Sequence, residues 1–165
     1  MNIEEKARRY DNLLRHASAN IGFDKALKGA ESEIAIMRNL SQGGFKVEKN
    51  SDSGGADFTV ICHDGRKILM EHKRASKSKY ADGSLRVETQ RSRNSKTDPS
   101  SRFYDRDFCE IYSIDVSDHK GREEYRFVRS QDLTQHPRYA TKVKALQKEN
   151  GRTWFATLRE AIRGL

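Results

Sequence analysis

Hydrophobic positions in the first third of the chain follow a helical repeat. Ile34, Met37 and Leu40 recur at spacings of three, and Gly43-Gly44 follows them directly. A stripe of this period predicts a helix, and a glycine pair predicts its end. One carboxylate, Glu33, falls at the margin of this stripe.

Further along the chain, short apolar runs are typical of strands. The runs are FKVEK, DFTVIC and KILMEHK, and later DFCEIYSIDV and EEYRFVR, with a turn at 118–121 between the last two. Residues 3–17 have the composition of a charged helix. Residues 139–165 alternate helix formers, and Trp154, Leu158 and Ile162 would share one helical face.

The predicted order is a helix, three strands, an irregular basic region that could contain a helix, two strands and terminal helices. This order predicts an α/β or α+β domain built on a mixed sheet. At 165 residues the chain is expected to form one domain. We divide it into an N-terminal helical extension (1–27), a core (28–130) and a C-terminal helical segment (131–165).

Charge makes nucleic acid the favoured partner. The chain has 32 Lys and Arg against 24 Asp and Glu, a formal charge of +8. Between residues 66 and 106 there are twelve Lys and Arg against five Asp and Glu, so this segment carries a surplus of seven. A basic surface concentrated in this way favours a polyanionic partner. The alternative explanation for a charge surplus alone is a surface that is merely soluble.

Cysteine and hydropathy patterns predict a cytoplasmic protein. Cys62 and Cys109 stand in separate apolar runs without Cys-x-x-Cys spacing, which favours buried, reduced thiols. No apolar run reaches membrane-spanning length, so no membrane association is expected. The charged start MNIEEKARRY does not fit a signal peptide.

Charged residues at strand ends form the main candidate site. Alternation along a strand places Glu71 and Lys73 on one face and His72 on the other. If Asp64-Gly65 forms a two-residue hairpin, Asp57 pairs with His72 on the wrong face. If the loop is residues 63–65, with Gly65 left-handed, Asp57 lies across from Glu71. We expect the three-residue loop.

Two neighbouring carboxylates and an ammonium point to metal-assisted hydrolysis. Carboxylates forced together repel, and a divalent cation relieves that repulsion. Oxygen ligands favour Mg²⁺, with Mn²⁺ as a substitute. A lysine beside them can position water or offset charge on a phosphate. The alternative is a set of solvated strand ends that pair with lysines.

At Asp57 and Glu71-His72-Lys73, preceded by the helix that carries Glu33, the sequence resembles the PD-(D/E)XK, restriction-endonuclease-like superfamily. The run KGAESEIAIMRNLSQGGFKV is also similar to the start of archaeal Holliday junction resolvases. The segment VETQRSRNSKTDPSSRFYDRDFCEIYSID is similar to restriction-endonuclease-like proteins of bacteria. Ala56 stands where the superfamily motif has proline.

The resemblance implies a helix-strand-strand-strand-helix-strand core, Mg²⁺ dependence and DNA as substrate. It makes Asp57 and Glu71 metal ligands, with the His72 carbonyl as a third. Lys73 would be the water-positioning or charge-stabilising residue. Glu33 would reach a metal-bound water or second metal, and Gln90 would lie at the site rim.

The expected function is a Mg²⁺-dependent DNA endonuclease. Because one site cuts one strand, a double-strand cut needs two chains or two binding events, and we expect a homodimer. The alternatives are a structure-selective nuclease, such as a Holliday junction resolvase, and an inactive nucleic-acid-binding module. Cationic side chains of the basic region are the expected phosphate contacts. They are Arg74, Lys77, Lys79, Arg91, Arg93, Lys96 and Arg102.

Overall fold

A computed structural model describes residues 21–51, 55–91 and 96–165, with side chains from residue 25 onward. The helix expected over residues 3–17 lies outside these ranges. The chain divides into two compact units, residues 1–35 and residues 36–165. The second unit contains the sheet and most of the predicted site.

Helix α1 spans Ile21–Gln42 and ends where the glycines predict. Gly44 adopts a left-handed φ of 86°, and the N–H of Phe45 donates to the Leu40 carbonyl at 3.0 Å. This closure satisfies a carbonyl at the helix end. The buried positions near that end are Ile36 and Leu40, whereas Ile34 is 60% exposed. Including Ile34 in the apolar stripe was wrong, because a residue two positions from Ile36 lies on the opposite side of a helix with 3.6 residues per turn.

After α1 the described chain contains strands, short helices and the loops that join them. The strands are β1 (Lys46–Lys49), β2 (Phe58–Ile61), β3 (Lys67–Lys79), β4 (Leu85–Glu88), β5 (Ile111–Asp115), β6 (Tyr125–Arg129), β7 (Leu146–Lys148) and β8 (Trp154–Phe155). The helices after α1 are α2 (Ser117–Lys120) and α3 (Leu158–Ile162), with 3₁₀ turns at Pro99–Arg102 and Ser130–Asp132.

These strands form a mixed sheet in the order β1-β2-β3-β5-β6-β8, while β4 pairs with β3 and with β7. The β3–β5 pair is parallel and the other pairs are antiparallel. The predicted mixed α+β class is confirmed. Between β3 and β5, where the core pattern has a helix, the described residues form β4 and a 3₁₀ turn.

The C-terminal segment differs from the helices that its sequence predicts. Trp154 lies in β8 and pairs with Val128 of β6, so it does not share a helix with Leu158. Helix α3 begins only after Thr157, whose side chain accepts the Glu160 N–H while the Glu160 carboxylate accepts the Thr157 N–H. This capping box makes Leu158, four residues after Trp154, the first helical residue.

Hydrophobic side chains form two clusters. One contains Ile36, Phe58, Met70 and Leu158. The other contains Tyr104, Tyr112, Val116 and Trp154, among others. Two charged residues of the predicted site, Glu71 and Lys73 of β3, lie beside Tyr104 in the second cluster.

Two smaller expectations concern the cysteines and membrane spans. Cys62 and Cys109 are free and buried, as predicted. Among the described residues, no helix combines the length and apolar character needed to cross a membrane.

Candidate active site

The turn between β2 and β3 sets the register of the site. Cys62 donates its N–H to the Arg66 carbonyl at 2.9 Å, which leaves residues 63–65 as the loop. Gly65 takes a left-handed φ of 82°, a conformation that residues with a Cβ adopt at a cost. Phe58 then pairs with Met70, so the next residue of each strand places Asp57 opposite Glu71. The three-residue loop is confirmed.

Asp57 and Glu71 each accept a hydrogen bond from the other's segment. The Asp57 N–H donates to Glu71 Oε2 at 3.3 Å, and the His72 N–H donates to Asp57 Oδ2 at 2.8 Å. Burial, and next the charge of Glu71, raise the pKa of Asp57 above its ordinary value. The two carboxylates are therefore held close enough to repel each other.

Glu71 is 3% exposed and is bound by a lysine and a tyrosine. Lys73 Nζ lies 2.6 Å from Glu71 Oε1, and the Tyr104 hydroxyl donates to the same oxygen at 2.8 Å. Burial alone would lower the pKa of Lys73, but attraction to Glu71 and Tyr104 holds it above its ordinary value. Lys73 is thus a fixed positive charge at neutral pH, which suits charge stabilisation better than proton abstraction.

His72 points to the other face of the sheet, as strand alternation predicts. Its Nδ1 lies 2.8 Å from the Ser113 hydroxyl, and its ring packs against Phe58 and Tyr125. Burial lowers the pKa of His72 to about 4. The imidazole is therefore separated from the carboxylates, and only the backbone of His72 is available to the site.

The backbone of His72 is directed toward Asp57. In an extended strand the N–H and C=O of one residue point to the same side. The His72 N–H reaches Asp57, so its carbonyl faces the same edge, beyond Phe58 where β2 begins. This direction is compatible with the carbonyl being a ligand beside the carboxylates.

A concave pocket of about 250 Å³ opens over the two carboxylates. Arg91 lies at its wall, with its guanidinium carbon 5.2 Å from the ring centres of both Tyr104 and Phe108. The pocket is lined by Lys49, Asn50, Ser51, Gly55, Ala56, Asp57, Glu71, Arg91, Tyr104 and Phe108. Cationic, amide and carboxylate groups thus face one small space.

Asn50 ties the end of β1 to the segment before Asp57. Its side-chain amide donates to the Ala56 carbonyl at 2.9 Å, and its side-chain oxygen accepts the Thr59 hydroxyl at 2.8 Å. Its N–H donates to the Asp57 carbonyl at 2.9 Å. These three bonds fix the backbone that carries Asp57. Asn50 was not among the sequence-predicted residues, and its only sequence signal is its position next to a predicted turn.

Tyr104 was also missed as a site residue. It lies 33 residues from Glu71 in the sequence. Strand periodicity cannot reveal such a contact, since Tyr104 lies outside the named strands. Burial raises the pKa of Tyr104 to about 12, so the hydroxyl remains protonated at neutral pH.

Two other predicted residues have different surroundings. The Gln90 side chain donates to Glu88, and its backbone bridges to Phe103. Glu33 is half-buried in α1, within the unit of residues 1–35. Their predicted catalytic roles stay predictions.

The predicted phosphate-binding residues differ in exposure and in their contacts. Arg74 forms ion pairs with Asp118 at 3.0 Å and Asp115 at 3.7 Å, which compete with any phosphate. Arg93 lies outside the described residues. The exposed members are Lys77, Lys79, Lys96 and Arg102, and Arg91 is half-buried at the pocket. Among the described members of this group, Arg91 is the one that lines the pocket with Asp57 and Glu71.

Comparison with solved structures finds a protein of similar fold. The chain is similar to the bacterial homing endonuclease I-Ssp6803I, with a TM-score of 0.51 and 17% identity. The match covers 73% of this chain and 84% of that chain. The fold is nuclease-like. No protein-family model and no curated protein matches the sequence.

Proposed function

We propose that this chain is a metal-dependent endonuclease that hydrolyses phosphodiester bonds of DNA, of the PD-(D/E)XK type. The observation that carries the proposal is the arrangement at the β2–β3 hairpin. Asp57 and Glu71 face each other across the strand ends, and Lys73 holds Glu71 at 2.6 Å. Fold likeness alone would not support a function, because one fold hosts many activities.

The donor set at the hairpin fits a hard divalent cation. The two carboxylates of Asp57 and Glu71 lie together, and the His72 carbonyl faces the same edge of the strand. Burial and the neighbouring Glu71 charge raise the pKa of Asp57, and a bound cation would offset both effects. No group of three His, Cys, Asp or Glu side chains suited to a metal occurs among the described residues. Water would therefore complete the shell, which is usual for Mg²⁺ and acceptable for Mn²⁺. Such an ion would supply Lewis-acid activation of water and of the phosphate.

The chain's own residues would divide the remaining work. The Lys73 ammonium would stabilise negative charge that develops on the phosphate, and Arg91 at the pocket wall would bind a non-bridging oxygen. Asn50 would hold Asp57 in place through its backbone bonds. We expect products with 5′-phosphate and 3′-hydroxyl ends.

DNA is the proposed substrate because of charge and fold together. The segment from residue 66 to residue 106 carries a surplus of seven positive charges and includes Glu71 and Lys73. The similar solved structure is named as a homing endonuclease. A homodimer would supply two sites for a double-strand cut, since each site cuts one strand.

The test is cleavage of supercoiled plasmid, linear duplex and a four-way junction with Mg²⁺, Mn²⁺ or chelator. Wild type should cut only with a divalent ion, and Asp57→Asn should reduce the rate by at least about 100-fold. Glu48→Gln is the matched control because Glu48 is an exposed carboxylate on β1 paired with Lys46. It should cut like wild type.

The outcomes also separate the alternatives. A strong preference for the junction would identify a structure-selective nuclease. DNA binding without cleavage under any metal would contradict the enzyme proposal and favour a binding module. Equal rates for Asp57→Asn and wild type would place any observed cutting elsewhere.

A further inference from the structure

Tyr104 completes a closed triangle of hydrogen bonds with Glu71 and Lys73. Its hydroxyl donates to Glu71 Oε1 at 2.8 Å and accepts from Lys73 Nζ at 3.2 Å. Lys73 donates to that same Glu71 oxygen at 2.6 Å. A phenol hydroxyl has one hydrogen to give, and here the carboxylate takes it while the ammonium binds a lone pair.

The ring of Tyr104 is fixed on several sides. Tyr104 is 7% exposed, and its ring centre lies 4.5 Å from that of Phe108. Lys73 Nζ lies 5.1 Å from the ring centre, and the Arg91 guanidinium carbon lies 5.2 Å from it. Both distances are within the range of cation–π attraction. The same side chain therefore contacts two cations and one carboxylate of the proposed site.

The bond to Tyr104 limits the directions in which the Lys73 ammonium can point. A lysine ammonium sits on a flexible four-carbon stem and has three rotatable donors. Bonds to Glu71 and to Tyr104 fix two of them, so the direction of the third N–H follows. With Glu71 alone, the ammonium could swing around one oxygen.

We propose that Tyr104 is a positioning residue that orients the Lys73 ammonium and the Glu71 carboxylate for phosphodiester hydrolysis. This inference rests on the proposed nuclease function. Tyr104 acts through Lys73 and Glu71 rather than on the substrate. Its ring also supports Arg91, but the hydroxyl carries the positioning role.

Tyr112 provides a matched control in the same cluster. Its ring lies 6.2 Å from that of Tyr104, and it is completely buried. Its hydroxyl has no oxygen or nitrogen partner among the described residues and lies near the Cys109 thiol. Removing this hydroxyl by Tyr112→Phe deletes one buried oxygen near the site and none of the hydrogen bonds of Glu71 or Lys73.

The experiment compares wild type, Tyr104→Phe and Tyr112→Phe in single-turnover and steady-state cleavage of duplex DNA. Tyr104→Phe should lower kcat by about 10- to 100-fold with KM unchanged, because a misplaced catalytic group affects the transition state and not ground-state binding. Tyr112→Phe should keep the wild-type kcat. Thermal unfolding confirms that each variant is folded.

A second readout uses the metal-free protein and requires no activity. The side-chain ammonium signal of Lys73 in an NMR spectrum, assigned by its loss in Lys73→Ala, reports whether the ammonium is held in hydrogen bonds. It should be sharp in wild type and Tyr112→Phe, and broadened by exchange with water in Tyr104→Phe.

Failure of this proposal differs from failure of the proposed function. If wild type cuts DNA and Tyr104→Phe cuts equally fast, or if the Lys73 signal is the same in both, Tyr104 does not position Lys73. A loss of kcat in Tyr112→Phe as large as that in Tyr104→Phe would also overturn the proposal. If wild type cuts no DNA, the nuclease function itself fails, while the NMR comparison still tests the contact.

Discussion

Replacing Lys73 with methionine should destabilise the protein as well as inactivate it. Methionine keeps an unbranched chain against the Tyr104 ring but removes the ammonium 2.6 Å from Glu71 Oε1. Glu71 then keeps two hydrogen bonds, from the Tyr104 hydroxyl and the Asp57 N–H, and no positive partner among its described contacts. The carboxylate would remain buried next to Asp57.

The magnitude follows from the burial of the pair. Removing one partner of a fully buried ion pair costs about 3–5 kcal/mol, whereas an exposed pair contributes at most about 1 kcal/mol. The Glu71 side chain is 4% exposed and that of Lys73 is 21% exposed, so the pair is nearer to the buried limit. We expect the free energy of unfolding to fall by about 2–4 kcal/mol at neutral pH.

The assay is urea unfolding in chelator, with Lys67→Met as control. Lys67 is an exposed lysine on the same strand, and its variant should match wild type. Adding Glu71→Gln to Lys73→Met removes the unpaired charge and should recover at least about 1 kcal/mol. If the unfolding free energy of Lys73→Met lies within about 0.5 kcal/mol of wild type, or if the double variant is no more stable than the single one, Lys73 does not stabilise a buried Glu71 charge.

Three further predictions concern pH, the hairpin turn and DNA binding. His72 has a folded pKa of about 4 against an ordinary 6.5, so the unfolded state takes up its proton first and stability is lost as pH falls from 6.5 to 4. Unfolding curves across this window should show about 3 kcal/mol more loss for wild type than for His72→Gln, and parallel curves would contradict the assignment. Gly65→Ala should lower the unfolding free energy by about 1 kcal/mol, because a residue with a Cβ is strained at the left-handed φ of 82°. Gly151→Ala should leave the unfolding free energy unchanged, because Gly151 has an ordinary φ and open space around it. Equal effects of the two substitutions would exclude strain in the turn. Arg91→Ala should reduce the slope of the logarithm of the DNA-binding constant against the logarithm of salt concentration by about one, the loss of one phosphate contact. An unchanged slope would show that Arg91 does not contact a phosphate.

Local rules in the sequence were enough to predict the hairpin that carries the carboxylates. Strand alternation places Glu71 and Lys73 on one face, and a glycine at position 65 permits the bulged loop that brings Asp57 across from Glu71. These features depend on neighbours within about 15 residues. The alternation of side chains along a strand, together with the conformation of one turn, therefore places Asp57 opposite Glu71.

Contacts made by distant residues could not be predicted in this way. Tyr104 reaches Glu71 from a segment outside the named strands, and Arg91 stacks on Tyr104 and Phe108. Apolar and charged residues in such segments carry no period. Their convergence depends on how β5 pairs with β3.

The prediction that Trp154 and Leu158 share one helix was wrong for a different reason. Trp154 and Leu158 are both buried at a spacing that suits a helix, yet the first belongs to β8 and the second begins α3. The sequence contains the correct boundary, because Thr157 and Glu160 have the spacing of a capping box. Hydrophobic spacing alone could not separate the two elements.

Plasmid cleavage by two lysine variants tests whether Asp57, Glu71 and Lys73 form a catalytic site. Wild type, Lys73→Ala and Lys67→Ala are incubated with supercoiled plasmid and Mg²⁺, and nicked product is followed over time. Wild type and Lys67→Ala should cut at the same rate, whereas Lys73→Ala should lose at least about 100-fold. Equal cutting by wild type and both variants, or none by folded wild type with either Mg²⁺ or Mn²⁺, would contradict a catalytic site at Asp57, Glu71 and Lys73.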